Sequence, residues 1–544
     1  MKTLYYNGRV YTGRLPLADA FVTENGRFLF AGSDRAGKAF GCGREIDLKG
    51  AFVCAGFNDS HMHLLHYGQT LAAADLAAHT TSLPELLDYL RRYAASQPSG
   101  KDPWIRGRGW NQDYFSDQKR MPTREDLDRI LPDRPAVITR CCGHCLAVNS
   151  LALTLCGIRA GTPDPEGGRL GRNADGEPDG LFFDEAMTLI TSHLPVPDKE
   201  TVKNYLRLAC RAVNRYGVTS VQSDDYCVFP SVPWQTVNEA YRELEESGEL
   251  SVRVYEQSQF SRPDALRAFL EAGCKTGAGS DLFRIGPLKM LSDGSLGART
   301  AYLGAPYTDM PATRGIPIFS PDKLDEMIGL AHRSGLQIAV HAIGDAALDM
   351  VLDAVEKAQK AFPRTDCRHG IVHCQITRPD QLERLAGLNL QIYAQTIFLD
   401  YDIHIVRQRV GARRAASSYR WKTLMAKGCH VSNGTDCPVE KPDALVGMQC
   451  AVTRCSLHGE TKPYLPEEAF SPGEALDSYT LAGAWASFEE NKKGRIAPGY
   501  LADFTVLGEN PFETDPFCIK DIPVLATFLG GKAVYQAGEA FSVD

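Results

Sequence analysis

From residue 199 onward the chain alternates helical stretches with short apolar runs at a near-constant pitch, a pattern that few folds accept. A helical stretch from Lys199 to Tyr216 stops at Gly217 and feeds a strand at Val218 to Gln222. A second, Trp234 to Glu246, stops near Gly248 and feeds Val252 to Gln257. Further strands are expected at Phe283 to Leu291, Gln337 to Ala342, Gly370 to Gln375, Leu390 to Gln395 and His430 to Asn433. One more lies upstream, where the run Ala51 to Phe57 leads into His61 and His63, so the count is eight. Strands alternating with helices form parallel β/α units, and eight of them close into a (β/α)8 TIM barrel more readily than they form an open sheet.

A barrel leaves much of a 544-residue chain unassigned. The N-terminal region reads as short strands and turns: Thr3 to Tyr6, a hairpin at Asn7-Gly8, Arg9 to Tyr11, Ala20 to Thr23, a second hairpin at Asn25-Gly26, and Arg27 to Ala31. The far end has the same character, with Ala502 to Leu507, Val524 to Leu529, Gly530-Gly531 and Lys532 to Tyr535. Residues 1–54 and 490–544 are therefore expected to build one small β-sandwich-like domain from both ends, with two separate terminal caps as the alternative. Residues 55–489 hold the barrel, and 64–200 read as an insertion after its first strand. The insertion is irregular, with helices near Ser82 to Ala95 and Thr123 to Ile130, the run Trp110 to Tyr114, Gly143-His144, and a Gly-rich loop from 161 to 180. A lid over a pocket is its functional reading, and a subdomain without function is the other.

Hydrophobic content of 44% and charged content of 23% describe an ordinary soluble globular protein. A net charge of -8 gives no electrostatic reason to expect nucleic acid or an anionic membrane as partner. No run of about 18 apolar residues occurs, and the N-terminus lacks the apolar core of a signal peptide, so a cytoplasmic protein is expected. Sixteen scattered cysteines suit reduced thiols better than a disulfide framework, and no thiolate zinc site is expected.

Catalytic groups of such barrels sit at the carboxyl ends of the strands. Taken in turn, those ends carry His61 and His63, Lys289, His341, His373 and Asp436. Residues two apart in an extended chain share a side, so His61 and His63 can meet one ion. Each has a simpler alternative: a packed core histidine for His341 or His373, a helix cap for Asp436, an ion-pair partner such as Asp293 for Lys289. Imidazole and carboxylate are ligands of zinc and similar ions. Lysine as ammonium cannot ligate a cation; it must bind as the amine or first form a carbamate.

The order His-x-His, Lys, His, His, Asp on an eight-stranded barrel with a split β domain resembles the amidohydrolase superfamily. Gly56-Phe-Asn-Asp-Ser-His-Met-His63, Gly143-His144 with Val148-Asn149, Lys289 with Asp293-Gly-Ser-Leu-Gly297, His341-Ala-Ile-Gly-Asp345 and Gly434-Thr-Asp-Cys-Pro438 are similar to the amidohydrolase 3 family, which includes N-substituted formamide deformylase. Lys493 to Phe504 is similar to the family's return to its small domain. Asn58 departs from the commonest opening. The resemblance implies that His61, His63 and Asp436 hold one metal, that His341 and His373 hold a second, and that a carboxylated Lys289 bridges them. A mononuclear site with a plain lysine is the alternative.

The expected activity is hydrolysis of a linear carbon-nitrogen bond, as in an N-substituted formamide or N-acyl amine, with one or two divalent ions, zinc first among them. Asp436 would be general base and then acid, and His144 a donor to the substrate carbonyl. A deaminase or cyclic amidohydrolase on a heterocycle is the alternative within enzymes; a non-catalytic metal-binding protein is the other class. The partner expected is a small-molecule substrate, with a homodimer as the assembly considered. Arg299 could bind an anionic substrate group, with a surface or structural ion pair as the alternative, and Trp110 with Tyr114 could form an apolar wall, with packing inside the insertion as the alternative.

Overall fold

The structure, a computed structural model, describes residues 1–97, 103–141, 144–165, 167–457 and 462–538. It divides into two compact units, Met1–Tyr67 with Leu206–Asp544, and Gly68–Tyr205.

The first unit is built on eight parallel strands that pair in chain order. They are β1 (Phe57–Met62), β2 (Val218–Ser223), β3 (Arg253–Gln259), β4 (Phe283–Leu291), β5 (Ile338–Ala342), β6 (Gly370–His373), β7 (Gln391–Ala394) and β8 (Val431–Asn433). The end of β8 returns to β1: the Ser60 hydroxyl donates to Asn433 O at 2.7 Å, and Asp436 N–H donates to His61 O at 2.8 Å. His63 N–H donates to Cys437 O at 2.7 Å. The expected barrel is present, with the limits of its second to eighth strands unchanged or shifted by one or two residues.

Local chemistry explains the outer helices. Helix Pro321–Arg333 opens on Ser320, whose hydroxyl accepts from Lys323 N–H, with proline in the first turn where its missing N–H costs nothing. Leu324, Met327, Ile328 and Ala331 recur at three- and four-residue spacing and form its buried face. Gly335, at φ +83, allows the chain to leave toward β5.

Two small sheets complete this unit. One has the order Arg27–Gly32, Ala20–Glu24, Thr3–Tyr6, Arg44–Asp47. The other runs Arg9–Val10, Phe52–Ala55, Phe504–Leu507, Val524–Leu529, Lys532–Gln536, and so takes strands from both ends of the chain. Tyr5 and Phe21 stack at 4.6 Å, Phe504 and Phe528 at 4.3 Å, and Tyr5 meets Phe504 edge-on at 5.2 Å, so one aromatic core joins the two sheets. Arg253 of β3 forks onto Asp503 at 2.6 and 2.9 Å, tying the barrel to the C-terminal strands.

Two local readings change. Asn7-Gly8 is not a hairpin turn, because Thr3–Tyr6 and Arg9–Val10 pair in different sheets. Asn7, at φ +55, hands the chain from one layer to the other. The run leading to His61 is likewise two strands: Phe52–Ala55 pairs with Phe504–Leu507, and β1 starts only after Gly56, where a Cβ would meet Thr219 Oγ1 at 2.2 Å. Asn25-Gly26 and Gly530-Gly531 do form hairpins.

The second unit is more regular than its sequence suggests. It holds a six-stranded sheet in the order Gly168–Arg172, Pro178–Asp184, Cys145–Val148, Ala136–Arg140, Ile105–Trp110, Ala74–Asp75. Its helices Leu83–Ser96 and Arg124–Ile130 are capped by Ser82 and by Thr123, the latter in a capping box with Asp126. Among the described residues no helix is long and apolar enough to cross a membrane.

Candidate metal centre

The carboxyl ends of β1, β4, β5 and β6 and the turn after β8 bring six side chains together. His63 Nε2 stands 3.0 Å from Asp436 Oδ1, and His61 Nε2 stands 3.3 Å from the same oxygen. Lys289 Nζ is 3.2 Å from His61 Nε2. The His61 ring lies 5.7 Å from that of His373, which in turn lies 4.4 Å from that of His341. The backbone is bent to achieve this. His373 (φ +76) and Asp436 (φ +57) occupy the left-handed region, at about 1–3 kcal/mol each, a strain that clusters at working sites. Gly434 permits the approach, since a Cβ there would meet His61 N at 2.5 Å.

Each imidazole has one nitrogen committed to an oxygen acceptor. His61 Nδ1 faces Gln257 Oε1 at 2.7 Å, His63 Nδ1 faces Asp224 O at 3.0 Å, and His373 Nδ1 faces Gln395 Oε1 at 2.7 Å. His341 is turned the other way, with Nε2 facing Gly294 O at 3.1 Å and Asp293 Oδ1 at 3.2 Å. An acceptor holds the proton on the nitrogen it faces, leaving the other with its lone pair. The other nitrogens are Nε2 of His61 and of His63, which both face Asp436 Oδ1, Nε2 of His373, and Nδ1 of His341. This is how metal-ligating histidines are oriented, and with one carboxylate the donor set fits a zinc-type divalent ion. His61, His63 and Asp436 already have donor atoms within 4.8 Å of one another.

The electrostatics differ between the imidazoles. Burial and the Lys289 charge push His61 down to about 3, so it is a neutral ligand-type imidazole. Burial opposes the charged form of His63, but the bond and charge of Asp436 prevail and raise it to about 9. Burial would raise Asp436, yet bonds from His61 and His63 hold it well below the usual carboxylate range. Lys289 is lowered by burial, with Asp224 and Asp436 opposing.

Sequence reasoning missed the supporting residues. Asp224, just after β2 and buried, lies 3.6 Å from Lys289 Nζ, and its carbonyl orients His63. It takes the place proposed for Asp293, which instead accepts from the N–H groups of Tyr302, Ile343 and Gly344 and faces His341. Gln257 on β3 and the buried Gln395 just after β7 were also missed, because a Gln at a strand end carries no metal-ligand signal of its own. His144 belongs to the second unit, is exposed, and pairs with Asp184 at 3.2 Å; Gly143 lies outside the described residues. Trp110 is buried and donates to Ile138 O at 3.2 Å, whereas Tyr114 is exposed. Arg299 is held by Asp309 at 2.9 and 3.2 Å, so a structural ion pair describes it better than an anion site.

Residues 44–535 match the amidohydrolase family, Amidohydro_3. The chain belongs to this amidohydrolase family. The amidohydrolase is 34% identical over 545 residues to YtcJ of Bacillus subtilis (strain 168), with 98% of this chain and 100% of that one covered. It is 25% identical over 547 residues to N-substituted formamide deformylase of Arthrobacter pascens, with 97% of each covered. Among solved structures, an uncharacterized metal-dependent hydrolase from Pyrococcus furiosus matches with a TM-score of 0.77 at 32% identity, covering 94% of this chain and 100% of that one. Family and fold are thus those the motifs implied.

Proposed function

We propose that this amidohydrolase hydrolyses a linear carbon-nitrogen bond of a small molecule, an N-substituted formamide or another N-acyl amine. The observation that supports the metal-assisted reading is the orientation of four imidazoles, each with one nitrogen tied to an oxygen of a supporting residue, while Nε2 of His61 and of His63 turns to the Asp436 carboxylate. His61, His63 and Asp436 would hold one divalent ion, zinc by donor chemistry, and His341 with His373 a second. Lys289 is the bridging candidate: its neutral amine adds to carbon dioxide and loses one proton, giving a carbamate whose two oxygens can each face an ion. Burial favours the neutral amine this requires. A bound ion of this kind supplies Lewis acidity and makes water a nucleophile near neutral pH.

The chain's own groups do the rest. Asp436, ionised at neutral pH, accepts the proton of the attacking water and then delivers it to the nitrogen of the leaving amine. Asp224 positions His63 through its carbonyl and faces Lys289 with its carboxylate. The test is a hydrolysis screen of N-formyl and N-acyl amines with zinc-loaded protein and product identification. Amine plus carboxylate in equal amounts is expected. Release of ammonia from a heterocycle, with no turnover of any acyl amine, would overturn the substrate class in favour of a deaminase.

A further inference from the structure

A second cluster of metal-ligand side chains lies at the opposite, amino-terminal end of the barrel strands. His332 is in the last turn of helix Pro321–Arg333, and Cys367 and His369 immediately precede β6. Their donor atoms all lie within 4.8 Å of one another, and all three residues are buried, at 0%, 7% and 1% exposure. His373 is four residues beyond His369, so at about 3.3 Å per residue the two clusters are separated by roughly 13 Å of strand.

The hydrogen bonds fix the protons. His332 Nε2 faces Phe362 O at 2.7 Å and must donate, which leaves the lone pair on Nδ1. His369 Nε2 lies 2.9 Å from that Nδ1 and donates to it. His369 Nδ1 then carries a second lone pair, buried and without a partner. Two neutral histidines sharing one proton beside a thiol are an unusual way to fill a core. Nearby Arg364 is committed elsewhere, donating to the carbonyls of His332, Gly335 and Leu336, which stiffens the same corner.

We propose that His332, Cys367 and His369 form a further metal site for a zinc-type cation, separate from the hydrolytic centre and structural in role. The ion replaces the proton shared by the two imidazoles: His332 binds through Nδ1, His369 through Nε2 with its proton moved to Nδ1, and Cys367 as thiolate. One proton, that of the thiol, is released. Two nitrogens about 2.0–2.1 Å from zinc at a tetrahedral angle stand about 3.3 Å apart, so the rings need to open by only a few tenths of an ångström. The Phe362 carbonyl already acts as the outer acceptor that fixes the ligating face of His332. The bound ion would staple the end of one outer helix to the start of β6. It would also supply the thiolate ligand that cysteine spacing alone gave no reason to expect.

The experiment loads the full-length protein with cobalt(II) alone and records its near-ultraviolet spectrum, where only a thiolate ligand gives strong sulfur-to-cobalt charge transfer. No cysteine belongs to the hydrolytic cluster, so the band reports this site whatever that centre catalyses. The band is expected in the wild-type protein, lost in Cys367→Ser, together with a drop of one zinc per chain by elemental analysis. If Cys367→Ser does not fold, His332→Gln gives the same readout. A wild-type protein without the band, or a band and zinc content unchanged in the variants, overturns the proposal.

Discussion

Asp436→Asn tests the catalytic reading most directly. The side chain keeps its size, and an amide oxygen can still face His63 and His61, which lie at 3.0 and 3.3 Å from Oδ1. What is lost is the negative charge and the ability to carry a proton. Positioned proton transfer contributes about 10²- to 10⁴-fold, so kcat is expected to fall by that factor, or about 2.7–5.5 kcal/mol of barrier. Because Asp436 is a proposed metal ligand, kcat must be measured at saturating substrate and expressed per bound metal. The pH profile adds a second check. His61 and His63 hold the Asp436 carboxyl well below its ordinary range, so the acid-side loss of the base should lie below that of an ordinary carboxylate. Turnover per metal within about threefold of wild type in Asp436→Asn would refute the proton-transfer role.

Further outcomes are expected. Lys289→Ala should lower metal content by elemental analysis and abolish most turnover, with partial rescue by short carboxylic acids that occupy the carbamate position; unchanged stoichiometry would remove the bridge. Asp503→Ala strands Arg253, where both partners are under 10% exposed, and should cost about 3–5 kcal/mol in a urea unfolding series. Burial raises Asp402 to about 7 against the opposing Tyr419 bond, with Glu440 adding to the rise. A folded-state pKa above the unfolded one means that the carboxyl's contribution is intact below about pH 4 and is lost as pH rises toward 7. Asp402→Asn should therefore remove a pH-dependent loss on the order of 4 kcal/mol across that window, and an unchanged slope of unfolding midpoint against pH would contradict the assignment.

The barrel was legible because short strand runs alternate with helices at a near-constant pitch, and several, such as Ile338–Ala342 and Gly370–His373, are apolar runs that end on or next to a histidine. His61, His63, Lys289, His341, His373 and Asp436 were legible for the same reason, since a polar side chain at the end of such a run stands out. The supporting shell was not. Gln257 and Gln395 act only through the imidazole each faces, and Asp224 acts partly through a carbonyl, which no side chain announces. The six-stranded sheet of the second unit was hidden by short strands rich in Gly and charge, such as Ile105–Trp110, which pairs parallel with partners some thirty residues away on either side. Asn7-Gly8 misled because a favourable turn dipeptide says nothing about which sheet the next strand joins.

Phe52–Ala55 hydrogen-bonds to Phe504–Leu507 and leads straight into the strand that carries His61. During synthesis on the ribosome the first two imidazoles must therefore wait, beside an unfilled strand edge, until hundreds of later residues have emerged. Proteolytic clipping just ahead of Phe504 would bare that edge again and release the anchor of β1. Damage at the far end of the polypeptide would thus be felt at His61 and His63 near its start, although the cut touches neither of them.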